Sequence, residues 1–97
     1  MFARVTFTQT KLDRVDEATQ LFVDSAVPAA RAQKGFKGIY LLTDRATGKG
    51  ITLSFWESEA NAIAGEQSGY YQEQINKFKD LLAAPPVRES YEVSVQG

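Results

Sequence analysis

The chain contains no cysteine and no histidine. Without cysteine there is no disulfide, no thiolate nucleophile and no sulfur-ligated metal. Without histidine the commonest general base and the commonest metal ligand are both missing, and so is every Ser-His or Cys-His pairing. Charge imbalance is also lacking: eleven basic and twelve acidic side chains leave a net charge of −1. A nucleic-acid footprint needs Lys and Arg clustered on one face. The groupings here, Arg31/Lys34/Lys37 and Lys77/Lys79, are small and read as solvated surface. No run of about 18 apolar residues occurs, so nothing reads as a membrane span. The opening MFARVTFTQT has no long apolar stretch behind a positive segment, as a signal peptide would. These absences predict a cytoplasmic protein with no metal and no nucleic-acid or membrane partner.

What is present reads as one domain over residues 1–97, a length that supports a single hydrophobic core. A chain this short buries only about 60–70% of its unfolded surface, so it tends to lean on a partner. Phe2–Thr10 alternates, with Ala3, Val5 and Phe7 on one face and Arg4, Thr6 and Thr8 on the other, and predicts a strand. Asp13 is placed to cap a helix whose apolar stripe is Leu12, Val15, Ala18, Phe22 and Ala26. Pro28 predicts a kink or break after Ser25, and Gly35 a stop.

Two strands follow, Phe36–Thr43 and Gly50–Trp56, joined by a glycine-bearing turn. Ser58 is a good N-cap for a short helix, which Gly65 and Gly69 are expected to interrupt. Ser68 then caps a longer helix to about Leu82, with Tyr71, Ile75, Phe78 and Leu82 on one face. Ala83-Ala84-Pro85-Pro86 ends it, and Val87–Gln96 alternates as a fourth strand.

The order β-α-β-β-α-β is the ferredoxin-like signature: an α+β fold with a four-stranded antiparallel sheet and the helices on one face. Right-handed crossovers place the first and third strands in the centre. The second strand offers no polar face, since Ile39 and Leu41 alternate with Tyr40 and Leu42. If Ile39, Leu41, Leu53 and Phe55 share the face away from the helices, they make an apolar patch that a symmetric homodimer would cover, sheet on sheet. A different hairpin register would instead turn some of them toward the helices.

The stretch GFKGIYLLTDRATGKGITLSFWESEANA resembles the central signature of the antibiotic biosynthesis monooxygenase (ABM) domains, which are small dimeric α+β barrels. The resemblance rests on Gly35-Phe36, Gly38, the turn glycines Gly48 and Gly50, and Trp56-Glu57-Ser58, and it runs along nearly the whole chain. It implies a pocket between sheet and helices for a small apolar or aromatic ligand, with Trp56 reaching into it beside Thr52 and Ser54. Gly38 would leave further room there. Haem-degrading relatives place an axial histidine on the second helix; the region near Ile75 has none, which excludes haem and leaves no cofactor expected. Catalytic relatives also tend to carry an asparagine on the sheet, where this chain offers only threonines and serine.

Two functions follow from the resemblance. The first is a monooxygenase needing no metal or organic cofactor, acting on a small aromatic or polyketide-like substrate in a quinone-forming reaction. Trp56 and Tyr70 are then its candidate catalytic residues, with Tyr40, Thr52, Tyr71 and Arg88 as substrate-binding residues. The second is a non-catalytic dimeric module that binds a small ligand or serves as a scaffold. Each site residue also has a packing alternative: Tyr71 lies on the Ile75/Phe78 stripe, and a buried tryptophan is often only an anchor.

Overall fold

A computed structural model describes the whole chain, Met1–Gly97. Strands β1 (Phe2–Gln9), β2 (Phe36–Thr43), β3 (Lys49–Trp56) and β4 (Val87–Glu92) form one antiparallel sheet in the order β2-β3-β1-β4. The first and third strands are central, as the crossover rule requires. β4 ends at Glu92, short of the expected Gln96. The helices cover one face only: α1 (Val15–Leu21), α2 (Val27–Arg31), α3 (Glu59–Gln67) and α4 (Tyr70–Phe78).

The register decides which residues share a face. Arg4 pairs with Ser54 and Thr6 with Thr52, while Ile39 pairs with Ser54 and Leu41 with Thr52. Directly opposed residues in a ladder lie on the same side. The helix side of the sheet therefore carries Arg4, Thr6, Ile39, Leu41, Thr52, Ser54 and Trp56. The outer side carries Val5, Phe7, Tyr40, Leu42, Ile51, Leu53 and Phe55. This corrects the expected assignment of Ile39 and Leu41 to the outer face and of Tyr40 to the inner one. The ladder shifts between Phe36 and Gly38, where a bulge resets the alternation of β2 against β3. Gly38 consequently lies opposite Phe55, on the outer side, and adds no room within.

The first helical region departs from expectation at both ends. It opens with a 3-10 turn over Leu12–Arg14 and has no side-chain cap, so Asp13 does not act as one and Leu12 stays exposed. Nor does Pro28 break it. A π turn over Phe22–Ala26 sits ahead of the proline, and the Val27 N–H bonds back five residues to the Phe22 carbonyl. That wider turn, with Pro28 in the first turn of α2, carries the helix past the missing N–H. The stripe survives: Val15, Ala18, Phe22, Ala26 and Ala30 are all buried.

Ser58 caps α3 as predicted, its Oγ accepting the Asn61 N–H at 3.2 Å. Gly65 does not interrupt that helix. It is buried within α3, and a Cβ there would lie 3.3 Å from the Tyr70 ring, so glycine allows α3 and Tyr70 to close up. The break falls at Gly69, whose φ of +89° makes it the residue that starts α4, in place of the expected Ser68. Phe22 meets Phe78 edge-on at 6.4 Å, and the Ser25 hydroxyl donates to Gln74 Oε1 at 2.8 Å, so α4 and the π turn hold one another.

The hairpin register is anchored where the turn crosses the end of β1. Thr10 N–H donates to the Gly48 carbonyl at 2.8 Å, and Gly48 has φ +80° with Thr10 O only 2.3 Å from where a Cβ would stand. Gly48→Ala meets both backbone strain and a backbone clash. We expect it to lower stability by about 2–3 kcal/mol, roughly 10 °C or more in Tm for a domain of this size, measured by thermal unfolding.

Candidate active site

Between the helix face of the sheet and the helices lies a partly open cavity of about 90 Å³. Its floor is hydroxylated: Thr6 and Thr8 from β1, Thr52 and Ser54 from β3. Its roof is apolar, from Val15 and Phe22 on one side and Ile75 and Phe78 on the other. Arg4, Tyr70 and Tyr71 also line it. No carboxylate, lysine or other charged group besides Arg4 faces the space.

Arg4 is the organising residue, and sequence reasoning missed it because an alternating arginine reads as the solvent face of a strand. It is only 2% exposed. One Nη1 donates to the Ala62 carbonyl at 3.2 Å and to Glu66 Oε2 at 3.1 Å; Nη2 reaches the Tyr70 hydroxyl at 3.4 Å. Its guanidinium also lies over three rings, 4.6 Å from the centroid of Tyr71, 5.1 Å from Trp56 and 5.8 Å from Tyr70. A desolvated cation gains most from such faces. Glu66, likewise unforeseen, links two arginines, since its other oxygen takes Arg88 Nη1 at 3.3 Å. Two positive charges thus share one negative charge beside the cavity.

Of the residues expected from sequence, Tyr70, Tyr71 and Thr52 line the cavity together. Tyr71 OH and Thr6 Oγ1 share a 2.7 Å hydrogen bond. Three others lie elsewhere. Trp56 is fully buried, is absent from the cavity wall, and donates its indole N–H to Ser54 Oγ at 3.0 Å. It packs edge-on against Phe36 at 5.8 Å and Tyr70 at 6.3 Å, so it is a core anchor that backs Arg4. Tyr40 is 59% exposed on the outer face, against Phe55. Arg88 is outside the wall but stacks 5.2 Å from the Tyr71 centroid and holds Glu66, a supporting position.

Burial pushes the Tyr70 hydroxyl above its ordinary pKa of 10.0, against the opposing pull of the Arg4 charge and hydrogen bond. Tyr70 is therefore a neutral phenol at physiological pH. Its oxygen accepts from Arg4, which leaves its O–H available to donate. An anionic or electron-rich oxygen in the cavity would meet this donor next to a guanidinium, surrounded by hydroxyls and an apolar roof.

The fold and site define a ferredoxin-like α+β domain with a small, partly open cavity bordered by a cationic, phenolic cluster. Residues 1–77 match the model of the antibiotic biosynthesis monooxygenase family, and the chain belongs to that family. Among solved structures, a candidate antibiotic biosynthesis monooxygenase from Bordetella bronchiseptica superposes with a TM-score of 0.80 at 19% identity, covering 97% of each chain. A counterpart from Nitrosomonas europaea gives 0.79 at 14% identity, over 98% of this chain and 100% of the other. At such identities the likeness concerns the fold. Two uncharacterised Mycobacterium tuberculosis proteins are 28% identical over 98 residues, or 97% of this chain. The chain spans 41% of the length of these curated relatives.

The raised Tyr70 value has a sign for stability. A phenol whose folded pKa exceeds its unfolded one stabilises the fold in its neutral form; that contribution is present below about pH 10 and is lost as pH rises beyond it. Chemical unfolding measured from pH 8 to 11 should show stability falling above about pH 10 in the wild type. Tyr70→Phe should flatten this decline.

Proposed function

We propose that the protein is a monooxygenase that uses no metal or organic cofactor and acts on a small, acidic aromatic substrate in a quinone-forming reaction. The observation that carries this reading is the neutral Tyr70 phenol, set against buried Arg4 at the wall of an otherwise uncharged cavity. Oxygenation of an anthrone-type CH₂ group requires a carbanion or its enolate. One electron passes to dioxygen, the radical pair closes a C–O bond, and the first proton returns to the resulting peroxide. Loss of the second C–H proton with O–O cleavage then gives the ketone and one water. Only the negative charge on the substrate oxygen needs the protein. Tyr70 O–H donates to that oxygen, Arg4 polarises Tyr70, and the dry roof strengthens both effects.

Two features shape the substrate. The wall holds no carboxylate or amine to act as base, so the substrate must be acidic enough to ionise to water. The volume is about 90 Å³, whereas an apolar cavity of roughly 150 Å³ admits benzene. Even a one-ring ligand needs the roof to yield, and part of that roof, Ile75 and Phe78, belongs to α4, none of whose residues is fully buried. Larger polyketide-like rings demand a wider displacement of the same helix.

The outer face supports an assembly. Tyr40 and Leu42, 59% and 47% exposed, extend the apolar surface of Leu53 and Phe55. We assign this surface to a symmetric homodimer, with Tyr40 and Leu42 taking the places expected for Ile39 and Leu41. Sedimentation should give a dimer at micromolar concentration and a monomer for Leu42→Glu. A wild-type monomer would remove this assignment.

The absence of a base in the wall favours one alternative, a dimeric module that binds a small ligand without converting it. Oxygen uptake separates the two. With anthrone-type and dihydroquinone substrates the wild type should consume oxygen above buffer, Tyr70→Phe should lose at least tenfold in rate, and Trp56→Phe should lose less. No uptake by folded wild-type protein would leave the binding module.

A further inference from the structure

Arg4 has more donors than the protein uses. A guanidinium carries five N–H groups. Nη1 spends its two on Ala62 and Glu66, and Nη2 spends one on Tyr70. The Nε–H and one Nη2–H have no acceptor anywhere in the chain, although the side chain is only 2% exposed. No fully enclosed polar side-chain atom lacks a partner, so Nε opens onto accessible space. The space Arg4 lines is the cavity. Nε and Nη2 sit side by side on one edge of the guanidinium plane, the edge that matches the two oxygens of a carboxylate.

We propose that this edge of Arg4 is a carboxylate-binding site and that the cavity selects small monoanionic aromatic acids over neutral aromatics of the same shape. Charge supports it: Arg4 and Arg88 share the single carboxylate of Glu66, so the cluster keeps one uncompensated positive charge for a ligand to neutralise. Shape supports it as well. The carboxylate would lie at the Arg4 end, where Tyr70 O–H can add a third donor, and the ring would lie under Ile75 and Phe78 over the threonine floor. Lysine could supply the charge but not the planar two-point contact.

The inference rests on the cavity being the ligand site, as in the function proposed above, but it needs no turnover. Binding to the full chain is followed by calorimetry and by amide chemical shifts, comparing benzoate with its neutral isosteres benzamide and benzyl alcohol. Benzoate should bind at least tenfold more tightly than either, with shifts centred on Arg4, Tyr70 and Thr52. The preference should disappear in Arg4→Lys, whose retained charge guards against misfolding. Arg88→Gln, which keeps the Arg4 edge but removes the uncompensated charge of the cluster, should reduce the preference without abolishing it. Equal binding of benzoate and benzamide by the wild type would overturn the proposal without recourse to any variant. So would a benzoate preference left unchanged in folded Arg4→Lys. Oxygen uptake with a neutral anthrone but no benzoate preference would retain the monooxygenase and reject the carboxylate site.

Discussion

The buried guanidinium of Arg4 is the constraint on which this structure depends. A cation removed from water is tolerated only when charge, hydrogen bonds and polarisable surface replace its hydration. Glu66 supplies the charge, the Ala62 carbonyl and Tyr70 hydroxyl accept hydrogen bonds, and Trp56, Tyr70 and Tyr71 present ring faces. These partners come from β3, α3 and α4, so one side chain on a central strand fixes how two helices sit on the sheet. Gly65 belongs to the same arrangement, because its missing side chain lets Tyr70 come up against α3 within reach of Arg4.

The site is thus a by-product of satisfying a charge. The groups that stabilise Arg4 leave a phenol whose oxygen already accepts a hydrogen bond, and a guanidinium Nε–H that no group of the protein accepts. Threonine and serine on the floor and aliphatic and aromatic side chains on the roof then separate the cavity into a polar half and a dry half. Trp56 contributes from behind, as a wall for Arg4, and Arg88 contributes through Glu66 and Tyr71.

Much of the fold is legible in the sequence because it rests on local periodicity. The alternation in β1, the stripe Val15-Ala18-Phe22-Ala26 and the Ser58 cap all appear where the pattern puts them. What escapes the sequence is register and depth. A single bulge near Gly38 reverses which of Ile39 and Tyr40 faces inward, and nothing in the alternation of β2 reveals it. Pro28 signals a kink or a break, and a π turn stands there instead of a break, because a wider turn can absorb a missing N–H. Tyr70, Tyr71 and Thr52 line the cavity, whereas Trp56 and Tyr40 are aromatic residues whose setting only the pairing can decide. Arg4 and Glu66 could have been noticed as opposite charges on elements that must pack, but 62 residues separate them.

That separation sets a timetable for folding. β1 precedes its neighbours along the chain, yet it lies between β3 and β4, and Arg4 meets its partners only 58, 62 and 66 residues later. Contacts so distant along the chain form late and carry a large loop-closure cost. Until α3 has emerged, the arginine must stay hydrated and the inner face of β1 cannot close. The cavity therefore comes into being in one step with the core, not as a pocket carved afterwards into a finished domain.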